Sequence, residues 1–245
     1  MGTLTTRYCA LSTMKMAYTD YGDGSVLILL HGNSESKAIF RKYQTIYFPL
    51  FHTYALDSRG HGESVSGDEK YSIGQYGDDV IEFCNERGIR KANVIGYSDG
   101  GNISLFLGLR DPGRFSKIMA ISPNYLVSGT TDASLRLLKR IYRVFTILNK
   151  MGINMKKNMM RFDLMLSDIG LSERDLGAIK AKMRILYAEN DMIKEDHLIH
   201  IHQSIAGSSI RKINGCTHMN ILKKQEAIDD MKHFFAVNST DDSHA

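Results

Sequence analysis

The sequence of 245 residues predicts an α/β fold with a doubly wound, mostly parallel central sheet. The first observation is a series of short runs that are apolar throughout, as in strands covered on both faces. The second is that segments with helical periodicity separate most of these runs. The third is an ordinary composition, 43% hydrophobic and 24% charged, which suits a chain that buries one large core without disulfides or metals.

The strands can be assigned in chain order. Residues 8–21 alternate less regularly than the later runs and predict an antiparallel hairpin at one edge of the sheet. Residues 26–30 are a continuous apolar run that ends at His31 and Gly32. Comparable runs follow at residues 53–56, 92–95, 117–121 and 184–187, with a shorter one at 209–213. Each of these runs predicts one strand of the sheet.

Three helices are predicted from their end signals. Ser72 and Gln75 form a capping box at the start of the first helix, and Gly88 is expected to end it. The second runs from about residue 99 to residue 109, and the third, residues 225–235, closes the chain. Their alternation with the strands is the pattern of a doubly wound sheet.

One connection is much longer than the others. Residues 123–180 separate two predicted strands, and a loop of this length is usually functional. Apolar residues recur at helical spacing from residue 135 to residue 148, and methionines are frequent after them. We expect a helical cap, inserted into a core domain of residues 1–122 and 181–245, because the insert leaves the sheet edge where such folds bind ligands. The alternative is a helical pair that only packs on the domain.

The pentapeptide at residues 96–100, GYSDG, is a candidate nucleophile turn. It joins a predicted strand to a predicted helix, and so tight a turn needs glycines because other side chains would collide. Ser98 would then lie exposed at a helix N-terminus, whose dipole favours developing negative charge. The alternative is a plain turn in which Ser98 only caps the helix.

A serine hydroxyl needs a base to accept its proton, and the base needs an acid to orient it. His218 lies between the last predicted strand and the final helix and is the predicted base; the alternative is a solvated loop histidine. Asp191, after the penultimate strand, is the predicted acid. Glu189 is expected to point into the fold instead, and Asp196 is a more distant alternative.

Acyl transfer also needs two backbone donors for the oxyanion. The amide of Asp99, immediately after the predicted nucleophile, is expected to be one of them. The loop after residues 26–30 should supply the other, and Asn33 is the predicted donor. Gly32 would allow the backbone to turn these donors toward the site.

These motifs together carry a resemblance to a known family. The HGN sequence at residues 31–33, the DSRGHGES sequence at 57–64, the turn at Ser98, then Asp191 and His218 occur in the order typical of the α/β-hydrolase superfamily. The chain resembles that superfamily over nearly its whole length, which implies the α/β-hydrolase fold and a Ser-His-Asp triad. The resemblance implies structural roles for His31 and His61. The GYSDGG sequence is also similar to the biphenyl-hydrolase-like branch, which cleaves amino-acid esters.

Asp99 departs from many members of the superfamily, which carry an apolar or amide residue after the serine. A carboxylate next to the nucleophile puts negative charge near the pocket. We hypothesise that Asp99 binds a cationic group, such as the α-amine of a substrate. The alternative is that it caps the helix or forms a salt bridge away from the ligand.

Composition bears on partners and cofactors. The net charge of +4 is scattered, which argues against nucleic acid as a partner. Cys9, Cys84 and Cys216 are expected to be free thiols. The histidines at 197, 200 and 202 predict a solvated helix and no metal site, and no cofactor is expected.

No apolar run approaches 18 residues, and no long apolar segment starts the chain, so we expect no membrane partner and a cytoplasmic location. Met1 and Gly2 with Thr6 match a short myristoylation pattern. The glycosylation sequon at residues 238–240 is set aside because no secretory segment precedes it. The sequence is compatible with a monomer or a homo-oligomer.

The leading functional hypothesis is hydrolysis of small-molecule carboxylic esters with small to medium acyl groups, through an acyl-enzyme. The same triad would also support hydrolysis of amides, lactones, thioesters or carbon–carbon bonds, or perhydrolysis. A ligand receptor of this fold with slow turnover is a further alternative.

Overall fold

The computed structural model describes residues 4–67 and 71–236. Met1 and Gly2 of the myristoylation pattern and the sequon at residues 238–240 lie outside this part of the chain. The strands described are β1 (Arg7–Ala10), β2 (Met14–Tyr21), β3 (Ser25–Leu30), β4 (Phe51–Leu56), β5 (Val65–Ser66), β6 (Ala92–Tyr97), β7 (Phe115–Ile121), β8 (Lys182–Asn190) and β9 (Ser209–Thr217). The α-helices are α1 (Ile73–Glu86), α2 (Asp99–Arg110), α3 (Asp132–Lys150), α4 (Lys156–Met165), α5 (Glu173–Ala178), α6 (Glu195–Ser204) and α7 (Gln225–Phe235).

These strands form one sheet in the order β1-β2-β4-β3-β6-β7-β8-β9, and β5 pairs with β2. In this sheet order, the neighbouring strands from β4 to β9 pair in parallel. The pairs β1–β2 and β2–β4, at one edge, are antiparallel. The predicted doubly wound, mostly parallel sheet and its edge hairpin are confirmed. Because β3 and β6 are adjacent and parallel, the loop after residue 30 and the turn after residue 97 lie at the same edge of the sheet.

The sheet is buried on both faces, as its apolar strands predict. In β3, Ile28 and Leu30 belong to a core that also contains α1, α2 and α6 side chains. Leu27 and Leu29, which point the other way, join a second core with α7 and the aromatic residues of the 40–48 segment. Two separate cores hold the strands in register, and a one-residue slip would exchange every side chain between them.

The connection between β7 and β8 contains three α-helices. Two of them, α3 and α4, pack together, with the rings of Phe145 and Phe162 edge to face at 5.1 Å between centroids. The short helix α5 packs on α2 and α6 instead, and Ile179 after it lies against Gly108. The sequence predicts the helical pair but not this third helix, because six residues are too few to show helical periodicity.

The expectation of a solvated helix at the three histidines is wrong for His197. Its side chain is buried, and its ring stacks on Tyr125 with centroids 4.9 Å apart. Gly129 lies against the same ring, and an added Cβ there would be 2.4 Å from it. Burial, and then the neighbouring His200, lower the pKa of His197 to about 4. The sequence misses this environment because Tyr125 and Gly129 come from the distant connection after β7.

Cys9, Cys84 and Cys216 are buried and free. Within the described residues, no helix has both the length and the apolar character that crossing a membrane requires.

Candidate active site

Ser98 lies on the turn between β6 and α2, with φ of 55°. The turn is tight enough to require glycine on both sides. A Cβ added at Gly96 would lie 2.1 Å from the carbonyl oxygen of Gly100, and one added at Gly100 would lie 2.1 Å from that of Leu30. Both distances are far below van der Waals contact, so the two glycines allow the strand, turn and helix to pack at this spacing.

Three serines share the unusual backbone of Ser98. Ser34, Ser98 and Ser122 are the non-glycine residues with positive φ in the described ranges, at 59°, 55° and 51°. They follow β3, β6 and β7 at the carboxyl edge of the sheet. Backbone strain of this kind costs about 1–3 kcal/mol per residue and is concentrated at functional sites. Its concentration at one edge therefore marks that edge as the candidate site.

The sequence-predicted triad residues come together at this edge. The Nε2 atom of His218 lies 3.1 Å from Ser98 Oγ, and its Nδ1 atom lies 2.7 Å from Asp191 Oδ1. His218 follows β9 and is nearly buried, and its carbonyl accepts a hydrogen bond of 2.8 Å from Tyr97 Oη. Residues from three strand ends thus form one continuous hydrogen-bonded chain.

Asp191 is held in place by several donors besides His218. Ser122 Oγ donates to Oδ2 at 2.5 Å, the amide of Ala188 to the same oxygen, and the amide of Ile193 to Oδ1. Burial acts to raise the pKa of Asp191, but His218 and these donors outweigh it and leave the pKa below its usual value. An ionised carboxylate only accepts hydrogen bonds, so Nδ1 of His218 carries the proton and Nε2 is free to accept one from Ser98.

The two alternative acids lie elsewhere. Glu189 does not point into the fold as expected; it is exposed and accepts a hydrogen bond of 2.8 Å from the amide of Gly215. Asp196 is exposed at the start of α6, where it accepts from the amide of His197. Of the three candidate acids, Asp191 is the one that contacts His218.

Asn33 and Asp99, the two predicted oxyanion residues, are joined through their side chains. Asn33 Nδ2 donates to Asp99 Oδ2 at 2.8 Å and to the carbonyl oxygen of Arg161 in α4 at 2.8 Å. Asp99 is buried, and within residues 4–67 and 71–236 its carboxylate accepts from the Asn33 side chain, with no helix amide donating to it and no ion pair. Burial raises its pKa to about 6, although the Asn33 hydrogen bond and His218 act in the opposite direction.

The loop after β3 passes directly against the serine. A Cβ added at Gly32 would lie 3.1 Å from Ser98 Cβ and 3.0 Å from Glu35 Oε2. Glu35, which the sequence analysis missed, accepts a hydrogen bond of 3.1 Å from the Gly32 amide. Burial raises the pKa of Glu35. Its position three residues after Gly32, in the range of a turn, is the only sequence signal that could have suggested it.

His31 and His61 brace the loops around the site, in agreement with the structural roles expected for them. Nδ1 of His31 lies 2.7 Å from the Gly32 carbonyl, and its Nε2 accepts from the amide of Ser58. His61 Nδ1 lies 3.0 Å from the Arg59 carbonyl. Burial lowers the pKa of both, for His61 to about 3, so both rings are neutral at physiological pH.

Helix α4 is fixed to the sheet edge by Arg161. The Arg161 carbonyl accepts from the Asn33 side chain. The Arg161 guanidinium donates to the Gly60 carbonyl oxygen, which lies 2.9 Å from Nε. The helix therefore links the loop after β3 to the loop after β4.

The cavity beside Ser98 is small, about 30 Å³. Side chains of the β7–β8 connection close it, among them Leu138 of α3 and Leu164 of α4. A second cavity of about 140 Å³ lies next to it, lined by Tyr71, Ile73 and residues of the 163–169 segment. Leu164 and Ser167 line both cavities and therefore form the wall between them.

Comparisons with known proteins agree with this geometry at the level of the fold. Residues 25–146 match the family model described as alpha/beta hydrolase fold. A probable alcohol acetyltransferase of Cyberlindnera jadinii is 32% identical over 88 residues, which is 35% of this chain and only 25% of that protein. This chain thus aligns to about a quarter of that relative's length.

Two solved structures match almost the whole chain. A structure titled as a membrane phospholipase A has a TM-score of 0.81 and 18% identity over 94% of this chain and 85% of its own. The carboxylesterase CesB of Bacillus subtilis has a TM-score of 0.77 and 16% identity over 95% and 91%. At these identities the likeness establishes the fold alone. Together with the family model, the sheet order and the turn at Ser98, it shows that the chain belongs to the α/β-hydrolase superfamily.

Proposed function

We propose that the protein is a serine hydrolase that cleaves carboxylic esters of small to medium acyl groups through an acyl-enzyme. The observation that carries this proposal is the hydrogen-bonded chain from Ser98 Oγ through His218 to Asp191, with contacts of 3.1 and 2.7 Å. These are distances at which a base can take the serine proton without any rearrangement.

In the proposed mechanism Ser98 Oγ attacks the ester carbonyl while His218 Nε2 accepts its proton. Ionised Asp191 stabilises the imidazolium that forms. His218 then donates the proton to the leaving alcohol, and the acyl group stays on Ser98. A water molecule, deprotonated by the same imidazole, attacks the acyl-enzyme; the acid is released and Ser98 regains its proton.

We further propose that the backbone amides of Asn33 and Asp99 hold the oxyanion. The amide of Asp99 follows Ser98 at the N-terminus of α2, where the helix dipole favours negative charge. The close approach of Gly32 to Ser98 brings the loop of Asn33 to the same point. The Asn33 side chain, bound to Asp99 and to the Arg161 carbonyl, would hold that loop in position.

The ester proposal is tested by steady-state turnover on p-nitrophenyl esters from acetate to octanoate, beside lactones, anilides and an aminoacyl ester. We expect repeated turnovers on acetate or butyrate esters. A single burst that leaves a stable adduct would instead indicate a receptor with one turnover. Turnover confined to lactones, amides or a carbon–carbon bond would keep the triad but contradict ester hydrolysis.

Asp99 is proposed to bind a cationic group of the substrate. It lines the cavity beside Ser98 and forms no ion pair with any residue described, so an ammonium group could supply the missing counter-charge. This would place the α-amine of an aminoacyl ester on the side of the cavity formed by the start of α2.

The expected result concerns the ratio of kcat/KM for an aminoacyl ester to that for its des-amino analogue. Because the pKa of Asp99 is about 6, the carboxylate becomes charged as pH rises, and we expect the ratio to increase between pH 5 and pH 7. Asp99→Asn should lower the ratio about 30-fold at pH 7, the effect of losing a charged hydrogen bond of ~2 kcal/mol. Below pH 7 the ratio for this variant should not change with pH. Any effect that is equal for the two substrates cancels in the ratio. Equal ratios in wild type and variant would exclude this role.

The helical pair α3 and α4 is proposed to be a cap that determines acyl length, inserted between core segments 1–122 and 181–245. Leu138 and Leu164 are both buried and both line the cavity beside Ser98, but only Leu164 also separates it from the second cavity. Leu164→Ala should join the two cavities, whereas Leu138→Ala should enlarge only the first.

We therefore expect Leu164→Ala to raise kcat/KM for octanoate relative to acetate esters by about tenfold, the lower end of the discrimination that one methylene gives in an apolar pocket. Leu138→Ala is the matched control and should change the ratio much less. The measurement is the chain-length profile of p-nitrophenyl esters for both variants. Identical shifts in the two variants would show that Leu164 is not a dividing wall.

A further inference from the structure

Helix α3 carries an apolar face that the rest of the protein does not cover. Only Leu138 among its 19 residues is buried. The large apolar side chains exposed on this helix and just after it are Leu137 (58%), Val144 (51%), Ile147 (57%), Met151 (71%) and Ile153 (47%). At 100° per residue, the first four fall within an arc of about 80°. Single exposed apolar residues are ordinary, but several along one helix face mark an interaction surface.

Positive charge is concentrated on the same segment. Residues 132–161 contain eight lysine or arginine residues and one aspartate, while the rest of the chain has 23 basic against 26 acidic residues. Arg140 lies within the apolar stripe by helical position, and Arg136 and Arg143 lie along one side of it. All three are exposed, and none forms an ion pair with another residue in the described ranges. The stripe thus contains one free cation, Arg140, and is bordered on one side by two more, on a chain whose net charge is only +4.

We propose that this face, formed by Leu137, Val144 and Ile147 with Arg136, Arg140 and Arg143, docks on a membrane surface rich in anionic lipid. A helix with one apolar face and a basic border lies in the interfacial plane, with its apolar side chains among the upper acyl carbons. Arginine stems cover apolar surface while the guanidinium groups reach the phosphates. The sequence expectation of no membrane partner considered only segments that cross the bilayer, and a surface helix needs no such segment.

Charge favours this occupant over a second copy of the chain. A two-fold interface through the same face would bring its arginines close to those of the partner copy, and like charges at close contact are unfavourable. Anionic headgroups supply the opposite charge at many positions. Each basic residue near such a surface strengthens binding about fivefold.

The docked orientation would serve the proposed function, on which this part of the inference rests. Leu138 lies on the opposite side of α3 from the stripe and lines the cavity beside Ser98. Docking would therefore hold that cavity roughly one helix diameter, about 10 Å, above the lipid. The substrates supplied in this way are amphipathic esters that partition into the bilayer surface.

The test is co-sedimentation of the 245-residue chain with vesicles of phosphatidylcholine alone or with 30% phosphatidylglycerol, in 50 and 500 mM NaCl. We expect binding to the anionic vesicles at low salt and its loss at high salt. R136Q/R140Q/R143Q should weaken binding about 100-fold, given the contribution of each arginine. L137S/V144S/I147S should weaken it about tenfold or more, because the apolar contact is lost.

The matched control is I46S/L50S/V65S, which removes three exposed apolar side chains away from α3 and should not change binding. All variants should keep kcat on a water-soluble ester, which shows that they fold. Absence of binding to anionic vesicles at low salt, or binding that neither α3 triple variant weakens, overturns the proposal. A dimer in sedimentation velocity that L137S/V144S/I147S dissociates would also overturn it, because a second copy would then occupy the face. Vesicle binding without turnover of any ester would contradict the proposed function and leave the docking proposal standing.

Discussion

Ser98→Ala is expected to lower kcat for ester hydrolysis by about 10⁴-fold to 10⁶-fold, the loss typical of removing the nucleophile of a triad. The hydroxyl is the only group removed, because alanine keeps the Cβ and can adopt the same positive φ at the cost already present. Folding stability should therefore change by no more than about 0.5 kcal/mol. The measurement pairs initial rates with thermal unfolding of the same preparations.

Ser36→Ala is the control for this experiment. Ser36 lies on the loop after β3, outside the hydrogen-bonded chain, and its hydroxyl accepts from the amide of Ala38. We expect near-normal rates for this variant. A Ser98→Ala protein that retains more than a tenth of the wild-type rate would mean that another group attacks the ester.

Asp191→Asn should lower kcat by about 10⁴-fold, with a smaller effect on KM. The donors around Asp191 leave no orientation in which an amide satisfies the site. If its NH2 group faces His218, Nδ1 must accept, and the proton moves to Nε2, which then cannot accept from Ser98. If the NH2 group turns away, it meets the Ala188 amide and Ser122, which already donate to that oxygen.

Glu189→Gln provides a matched control two residues away. Glu189 is exposed and accepts from the Gly215 amide, and a glutamine oxygen can replace it there. Steady-state rates for both variants over pH 5 to pH 9 are the measurement. If Glu189→Gln lost as much activity as Asp191→Asn, the assignment of Asp191 as the acid would be contradicted.

The strand-end positions of the site were predictable because local sequence determines them. Glycines at 96 and 100 are required where β6 turns into α2, and the parallel order of β3, β6 and β8 follows from apolar runs separated by helices. Once the sheet order is known, loops after neighbouring strands must meet at one edge. The sequence joined Ser98, Asp191 and His218 into one prediction through their order along the chain, which resembles that of the α/β-hydrolase superfamily.

The surroundings of the site were not predictable because they depend on contacts between distant segments. The Asn33 side chain donates through Nδ2 to the Arg161 carbonyl across 128 residues, and the Ser122 hydroxyl donates to Asp191 across 69. No periodicity or motif encodes such a pair. The stacking of the neutral His197 ring also could not be predicted, because it depends on Tyr125 from another connection. The burial and rotamers of these side chains follow from how distant segments pack, and not from the spacing of residues in the sequence.

The central claim is that Ser98 forms a covalent intermediate, and mass spectrometry after labelling with a fluorophosphonate tests it most directly. The account predicts one adduct per chain, located on Ser98 in the peptide after digestion, with loss of turnover in proportion to labelling. The Ser98→Ala protein should take up no label. Labelling of a different residue, or full ester turnover in a completely labelled protein, would contradict the account.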